Sequence, residues 1–306
     1  MFAVAALSAN TLFSMAYFPG KFNSEEGERN LKWSTCVWGN NVNFETEFLP
    51  GKPGPNDMVV VRPGRYEFEL DGNYSVSEFA TGDGSRSFAT GKTFKFRRNL
   101  RMTIATSNSS VTRQDWDKCV VDVGGPFEIR FWTEARQAGI AKLSMTDTKM
   151  SIRGDISCII PANPILQNEN RAGVEIAVEG DSLLQFAGGA VIDSLIEESN
   201  DQWMFKWTFS DKDGKLPKVT FAKRAEFNKC DLEVTVSDKV KSGKYGLIEF
   251  ADKKSGLKDL RSVTVNGSEY KLGDAFKLGN RTAKLMLAPS GKDASTPNDL
   301  VLDISK

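Results

Sequence analysis

Short runs of alternating apolar and polar residues, punctuated by Pro-Gly or Asp-Gly pairs, dominate the chain from Asp57 onward. In Arg65–Leu70, Tyr66, Phe68 and Leu70 share one side, and Arg65, Glu67 and Glu69 the other. That period of two is the signature of a strand with one buried and one wet face. Flanking runs at Asp57–Val61 and Tyr74–Phe79 repeat it, joined by tight turns. Further strands are predicted at Phe94–Phe96, Leu100–Ala105, Cys119–Val123, Phe127–Trp132, Ile140–Met145, Lys149–Arg153, Ile156–Ile160 and Val174–Val178. Ser182–Phe186, Ala190–Ile196, Trp203–Phe209, Lys218–Phe221 and Leu232–Val236 follow. Helical periodicity is scarce; Gln114–Lys118 and Thr133–Gln137 could each form one turn.

An all-β fold follows, as a sandwich, a propeller or a solenoid. A propeller would repeat a motif at about 40–50 residues, and none is present. A jelly roll needs fewer, longer strands. An acidic or glycine residue followed by short apolar alternation recurs after Gly124, Gly154, Gly180 and Gly188 at uneven spacing. This fits solenoid coils whose turns vary in length while their strands stay in register. The expected fold is a right-handed parallel β-helix over residues 57–240, preceded by a cap segment at 17–56 and closed by a β unit at 241–306. In the cap segment Trp33 and Trp38 flank Cys36, where they would cover the open end of the β-stack or stack on sugars.

With 40 basic and 40 acidic residues in 306, no global field favours nucleic acid or an anionic membrane. Histidine is absent, which excludes Ser-His and Cys-His nucleophiles and His-ligated metals. Cys36, Cys119, Cys158 and Cys230 are too widely spaced for a zinc motif and would be either buried thiols or two disulfides. Asp211-Lys212-Asp213-Gly214 resembles the start of a calcium loop, but Ala222 at its twelfth position lacks the carboxylate such a loop needs. Gly124-Gly125 and Gly188-Gly189 are not followed by the residues of a phosphate cradle. No metal or cofactor is expected.

Residues 2–18 carry no charge and resemble the apolar and cleavage regions of a secretory signal peptide, so residues 1–16 are expected to be a leader. No later run approaches the ~20 apolar residues of a membrane span. The expected location is outside the cell or on its surface.

The opening, Trp33…Trp38…Pro50-Gly51…Pro55-Asn56-Asp57-Met58-Val59-Val60-Val61…Pro63-Gly64…Leu70-Asp71-Gly72…Gly82-Asp83-Gly84, resembles that of secreted bacterial right-handed β-helix proteins of the pectate-lyase-like and autotransporter-associated strand-repeat type. Gly243–Phe250, Val263–Gly267 and Leu300–Ile304 are similar to their closing segments. The long Gly/Asn-rich repeats usual in that family are missing. The resemblance implies an extracellular solenoid and, in its lyases, Lys or Arg as base and charge neutraliser.

Outward side chains of a β-helix sheet line up along the stack, where a basic row would hold an acidic glycan through charge-assisted hydrogen bonds. Candidates for substrate binding are Lys95, Arg97, Glu128, Arg130, Trp132, Lys142 and Arg153, with Arg98 and Arg101 nearby. Alternatively these charges only keep the wet faces soluble. Trp203, Phe205, Trp207 and Phe209 share one side of their run, as core or as a sugar platform. The function expected is a non-catalytic structural or carbohydrate-adhesive β-helix that binds polysaccharide or a cell-surface glycan. The alternative is a polysaccharide lyase acting on an acidic glycan with a Lys/Arg pair.

Overall fold

A computed structural model describes residues 16–20, 30–39, 51–105, 111–132, 139–159, 172–192, 203–288 and 298–306. The expected leader falls almost wholly outside these residues, as does the helical turn expected at Thr133–Gln137. The described secondary structure is all strand, with no helix long and apolar enough to cross a membrane.

The strands stack into three long sheets of eight, ten and ten members, mostly parallel, and each sheet collects every third strand along the chain. Each coil therefore visits the first, second and third sheet in turn and returns one rung higher, which is a parallel β-solenoid. In the coil that starts at Leu100, the strands are Leu100–Ala105, Val111–Asp117 and Val120–Val123. Each pairs in register with its counterpart in the next coil: Phe127–Trp132, Ile140–Thr146 and Lys149–Ile152.

Alternation decides what lies inside. Val59, Phe79, Leu100, Phe127 and Ile156 form one inner column of the first sheet, none with measurable exposure. In the third sheet Phe186, Phe221 and Phe250 stack rung over rung, with ring centroids 4.8 and 5.6 Å apart. Phe205, Trp207 and Phe209 are likewise buried and so belong to the core; the side chain of Trp203 lies outside the described residues. Gln114 is not helical, because Val111–Asp117 is a strand that points Thr112, Gln114 and Trp116 inward. The buried Gln114 amide donates to Thr81 Oγ1 and to the Arg101 carbonyl, each at 3.0 Å, which makes a polar residue tolerable there.

The corners differ in kind. Between the second and third sheets Gly91, Lys118, Asp147 and Gly180 all take positive φ, and their N–H groups donate up the stack to Asp117, Thr146, Glu179 and Ser210. Beneath them the buried Thr148 hydroxyl accepts from the Cys119 N–H at 3.0 Å and donates to the Trp116 carbonyl at 2.9 Å. Between the third and first sheets the coils approach so closely that Gly124, Gly125, Gly154, Gly188 and Gly189 have no room for a side chain. Connections from first to second sheet carry the length variation, from four residues at 82–85 to twelve at 160–171. The uneven spacing of the glycine motif comes from these connections and from Gly180 standing at a different corner from Gly124, Gly154 and Gly188.

Both ends are closed. Trp33 and Trp38, with centroids 4.9 Å apart, pack among Tyr17, Phe68 and Tyr74 and plug the first coil, while Val37–Gly39 runs antiparallel to Ala16–Gly20. At the other end Gly243–Phe250 pairs antiparallel with Leu300–Ser305, which continues through Arg281–Leu287 to Ala275–Leu278. Antiparallel, short outer strands protect a sheet edge against pairing with another chain.

All four cysteines are buried free thiols, not disulfides. Burial pushes Cys36 and Cys230 up to about 12 from an ordinary value of 9.0, and it raises Cys119 and Cys158 as well. A raised thiol pKa favours the folded, neutral form up to the ordinary value and penalises it above, where only the unfolded chain can ionise. Stability is therefore expected to hold below about pH 9. It should then fall by up to about 1.4 kcal/mol for each of Cys36 and Cys230 per pH unit between 9 and 12. Urea midpoints measured on both sides of pH 9 check this; an unchanged midpoint on the alkaline side contradicts it.

Candidate anion-binding face

The three outer faces handle charge differently. On the first, Arg101 lies 2.9 Å from Glu128 and 3.6 Å from Glu78, and Arg130 lies 2.8 Å from Glu128. Asn99 also donates to Glu128, whose side chain is only 12% exposed. On the second, Lys32 pairs with Glu69, Arg86 with Glu67 and Asp115, Lys142 with Glu175 at 2.8 Å, and Lys206 with Glu233. Asp231 closes this ladder. Burial would raise its pKa, but hydrogen bonds from Arg261 and Ser262 hold the carboxyl below its usual range. These rung-to-rung pairs neutralise both faces from within.

The third face is different. Its outward columns, read up the stack, are Thr93–Val120–Lys149–Leu183 and Lys95–Asp122–Ser151–Gln185. A third column runs along the corner, where Arg97, Gly124 and Arg153 follow Phe96, Val123 and Ile152. Lys95, Arg97, Asp122, Gly124 and Arg153 surround an open cavity of about 320 Å³. Gly124 lines it where the rungs come closest: a Cβ there would stand 2.1 Å from the Arg97 carbonyl oxygen. Arg97 reaches Asn56 at 3.2 Å, and Arg153, 67% exposed, lies 3.8 Å from Asp122. Among the described residues Lys95 and Lys149 have no ion pair. Arg97 and Arg153 are two rungs apart, about 9.6 Å by strand spacing, close to the screening length in physiological salt. Their potentials therefore overlap in the cavity.

Of the residues expected to bind substrate, Lys95, Arg97 and Arg153 come together here. Glu128, Arg130 and Trp132 belong to the first sheet and Lys142 to the second, and the side chain of Trp132 lies outside the described residues. Lys149, not among the residues expected to bind substrate, joins the third face. Its signal was the outward alternation Lys149, Ser151, Arg153 within a strand already recognised. Among the described residues, no three cysteine or carboxylate side chains gather at metal-binding distance.

No protein-family model, curated protein or solved structure matches this chain.

Proposed function

We propose that the chain is a secreted or cell-surface β-helix of the right-handed, pectate-lyase-like type, serving as a structural scaffold that holds acidic glycan without cleaving it. The handedness follows the rule for parallel crossover connections. The observation that carries this reading is the contrast between faces. Two of them spend their basic residues on neighbouring carboxylates, while the third, where Arg153, Lys218 and Lys244 lie near Asp122, Glu249 and Asp303, still leaves Lys95, Arg97 and Lys149 with no carboxylate partner. A flat column of Ser151, Gln185 and Thr220 continues that face, so a bound chain meets little obstruction there. Guanidinium groups suit carboxylate and sulfate through paired N–H donors.

The clustering of Lys95, Arg97 and Arg153 beside Asp122 also favours a second reading, a lyase. In that case a basic side chain removes the proton α to a uronate carboxylate. The freed electron pair forms a double bond as the β C–O glycosidic bond breaks, and the leaving oxygen takes up a proton.

Incubation with polygalacturonate, alginate and heparin, scored for both retention and unsaturated product, tests the two. Retention without product, weakened at least tenfold in Lys95→Glu/Arg153→Glu, is expected. Unsaturated product that disappears in Arg153→Ala would replace adhesion by cleavage. Absence of both retention and unsaturated product on every polymer overturns both.

A further inference from the structure

We infer that a bound acidic chain crosses the solenoid, lying over the Val120–Val123 strand between two basic rungs, rather than running along the stack. This rests on the proposed adhesive function of the third face and assigns the path and length of ligand that the face accepts.

Basic residues on this face are grouped by coil. One coil supplies Lys95 and Arg97, and the coil two rungs on supplies Lys149 and Arg153. The rung between them offers Val120, Asp122 and Gly124. It is low at both ends, where Val120 is short and 51% exposed and Gly124 has no side chain, with Asp122 between them. The result is a trough with basic residues on its walls, about 9.6 Å from wall to wall at two strand spacings.

Along the stack the chemistry runs out. Beyond Arg153 the corner column continues as Ala187, Ala222 and Ala251. The middle column passes through Gln185 and Thr220 to Glu249, whose carboxylate pairs with Lys218 at 2.5 Å. In the other direction Lys95 is followed by Ser75. An anionic polymer laid along the axis would thus meet the basic walls once and then mostly uncharged surface, the next cation, Lys218, being already paired with Glu249. Laid across, it meets Lys149 on one flank, Lys95 on the other and Arg97 with Arg153 at the corner, four cations within about 16 Å for five residues. Exposed Val120 then supplies an apolar contact for a sugar ring, and Asp122 is the one unfavourable charge in the trough.

Two features of the crossing path can be measured. Affinity should depend on ligand length only up to the few sugar units that span one face. Lys149, which lies off the corner column, should matter as much as Arg97. Size-fractionated oligogalacturonates, from the dimer upward, are titrated calorimetrically into the full chain. Affinity is expected to rise and then level off once the oligomer spans the strand. Lys149→Glu should weaken binding roughly fivefold, the upper range for one exposed charge contact, and Asp122→Asn should tighten it by up to the same factor. Affinity that keeps climbing with oligomers long enough to cover several rungs, with Lys149→Glu at wild-type strength, overturns the crossing path while leaving adhesion intact. Loss of binding in Lys95→Glu/Arg153→Glu, already used above, confirms that the face itself is occupied. If that variant binds as wild type, the face is not the site and both readings fall. All four substitutions lie on exposed or half-exposed positions, and unchanged far-UV circular dichroism verifies the fold.

Discussion

Phe221→Ala is expected to lower the free energy of unfolding by about 3–5 kcal/mol, the cost of deleting a fully buried aromatic ring. Phe221 is 1% exposed and stands between Phe186 and Phe250 in the stacked column, with Phe227 at 5.5 Å and Trp207 at 6.3 Å. Its neighbours cannot collapse into the gap. Each is fixed by its own rung, and the rung spacing is set by backbone hydrogen bonds rather than by side-chain size. The void should therefore persist, so the cost belongs at the upper end of the range. Urea unfolding followed by tryptophan fluorescence reports it directly through Trp207. Phe221→Leu retains most of the volume and should recover more than half of the loss. If the two variants unfold at the wild-type urea midpoint, the rung-over-rung core is refuted.

The second large effect concerns space rather than volume. Gly189→Ala would place a Cβ 1.9 Å from the carbonyl oxygen of Arg224, an obstacle made of backbone that cannot rotate away. The same corner carries the Ile156 N–H bond to the Gly189 carbonyl at 3.0 Å and the Gly189 N–H bond to Asp155 Oδ1 at 2.6 Å. Opening the corner stretches both. A loss of about 3 kcal/mol or more is expected, at the severe end for overpacking. Gly91→Ala is the informative partner. Nothing lies within 4 Å of its hypothetical Cβ, but its φ is +65°, so only the left-handed conformation is penalised, at about 1 kcal/mol. Thermal unfolding of the pair separates the two roles: equal shifts would mean that close approach of the coils is not what the third-to-first corner requires.

The fold was largely legible because its signal is local. Tyr66, Phe68 and Leu70 announced a strand, and Glu67–Glu69 is one, with Phe68 fully buried. The same alternation located most strands between Phe94 and Val236 to within a few residues. Legibility failed where the interior is polar. Arg86–Thr90 escaped notice, and Gln114–Lys118 looked helical, because Ser87 and Gln114 point inward where an apolar residue would be expected. Thr81 Oγ1 joins them, 2.9 Å from Ser87 Oγ and 3.0 Å from Gln114 Nε2, and a period-two test cannot see hydrogen bonds made between sheets. The candidate site was harder still. Alternation shows that Lys95, Glu128, Arg130, Lys142 and Arg153 point outward, but not from which of three faces. That depends on where the coil turns, and the first-to-second connections vary too much in length for a count of residues to settle it.

Because each coil touches only the coils above and below, overall length is a property separable from everything else in the molecule. Excising one complete turn, from the third-to-first corner at Ala187–Gly189 to the same corner at Ala222–Arg224, would bring matching corners together and leave the plugs at either end untouched. The product would be shorter by a single interstrand distance, about 4.8 Å. Evolution or an engineer could thus adjust the reach of such a rod in fixed increments without redesigning the basic trough, which lies in coils that the excision does not enter.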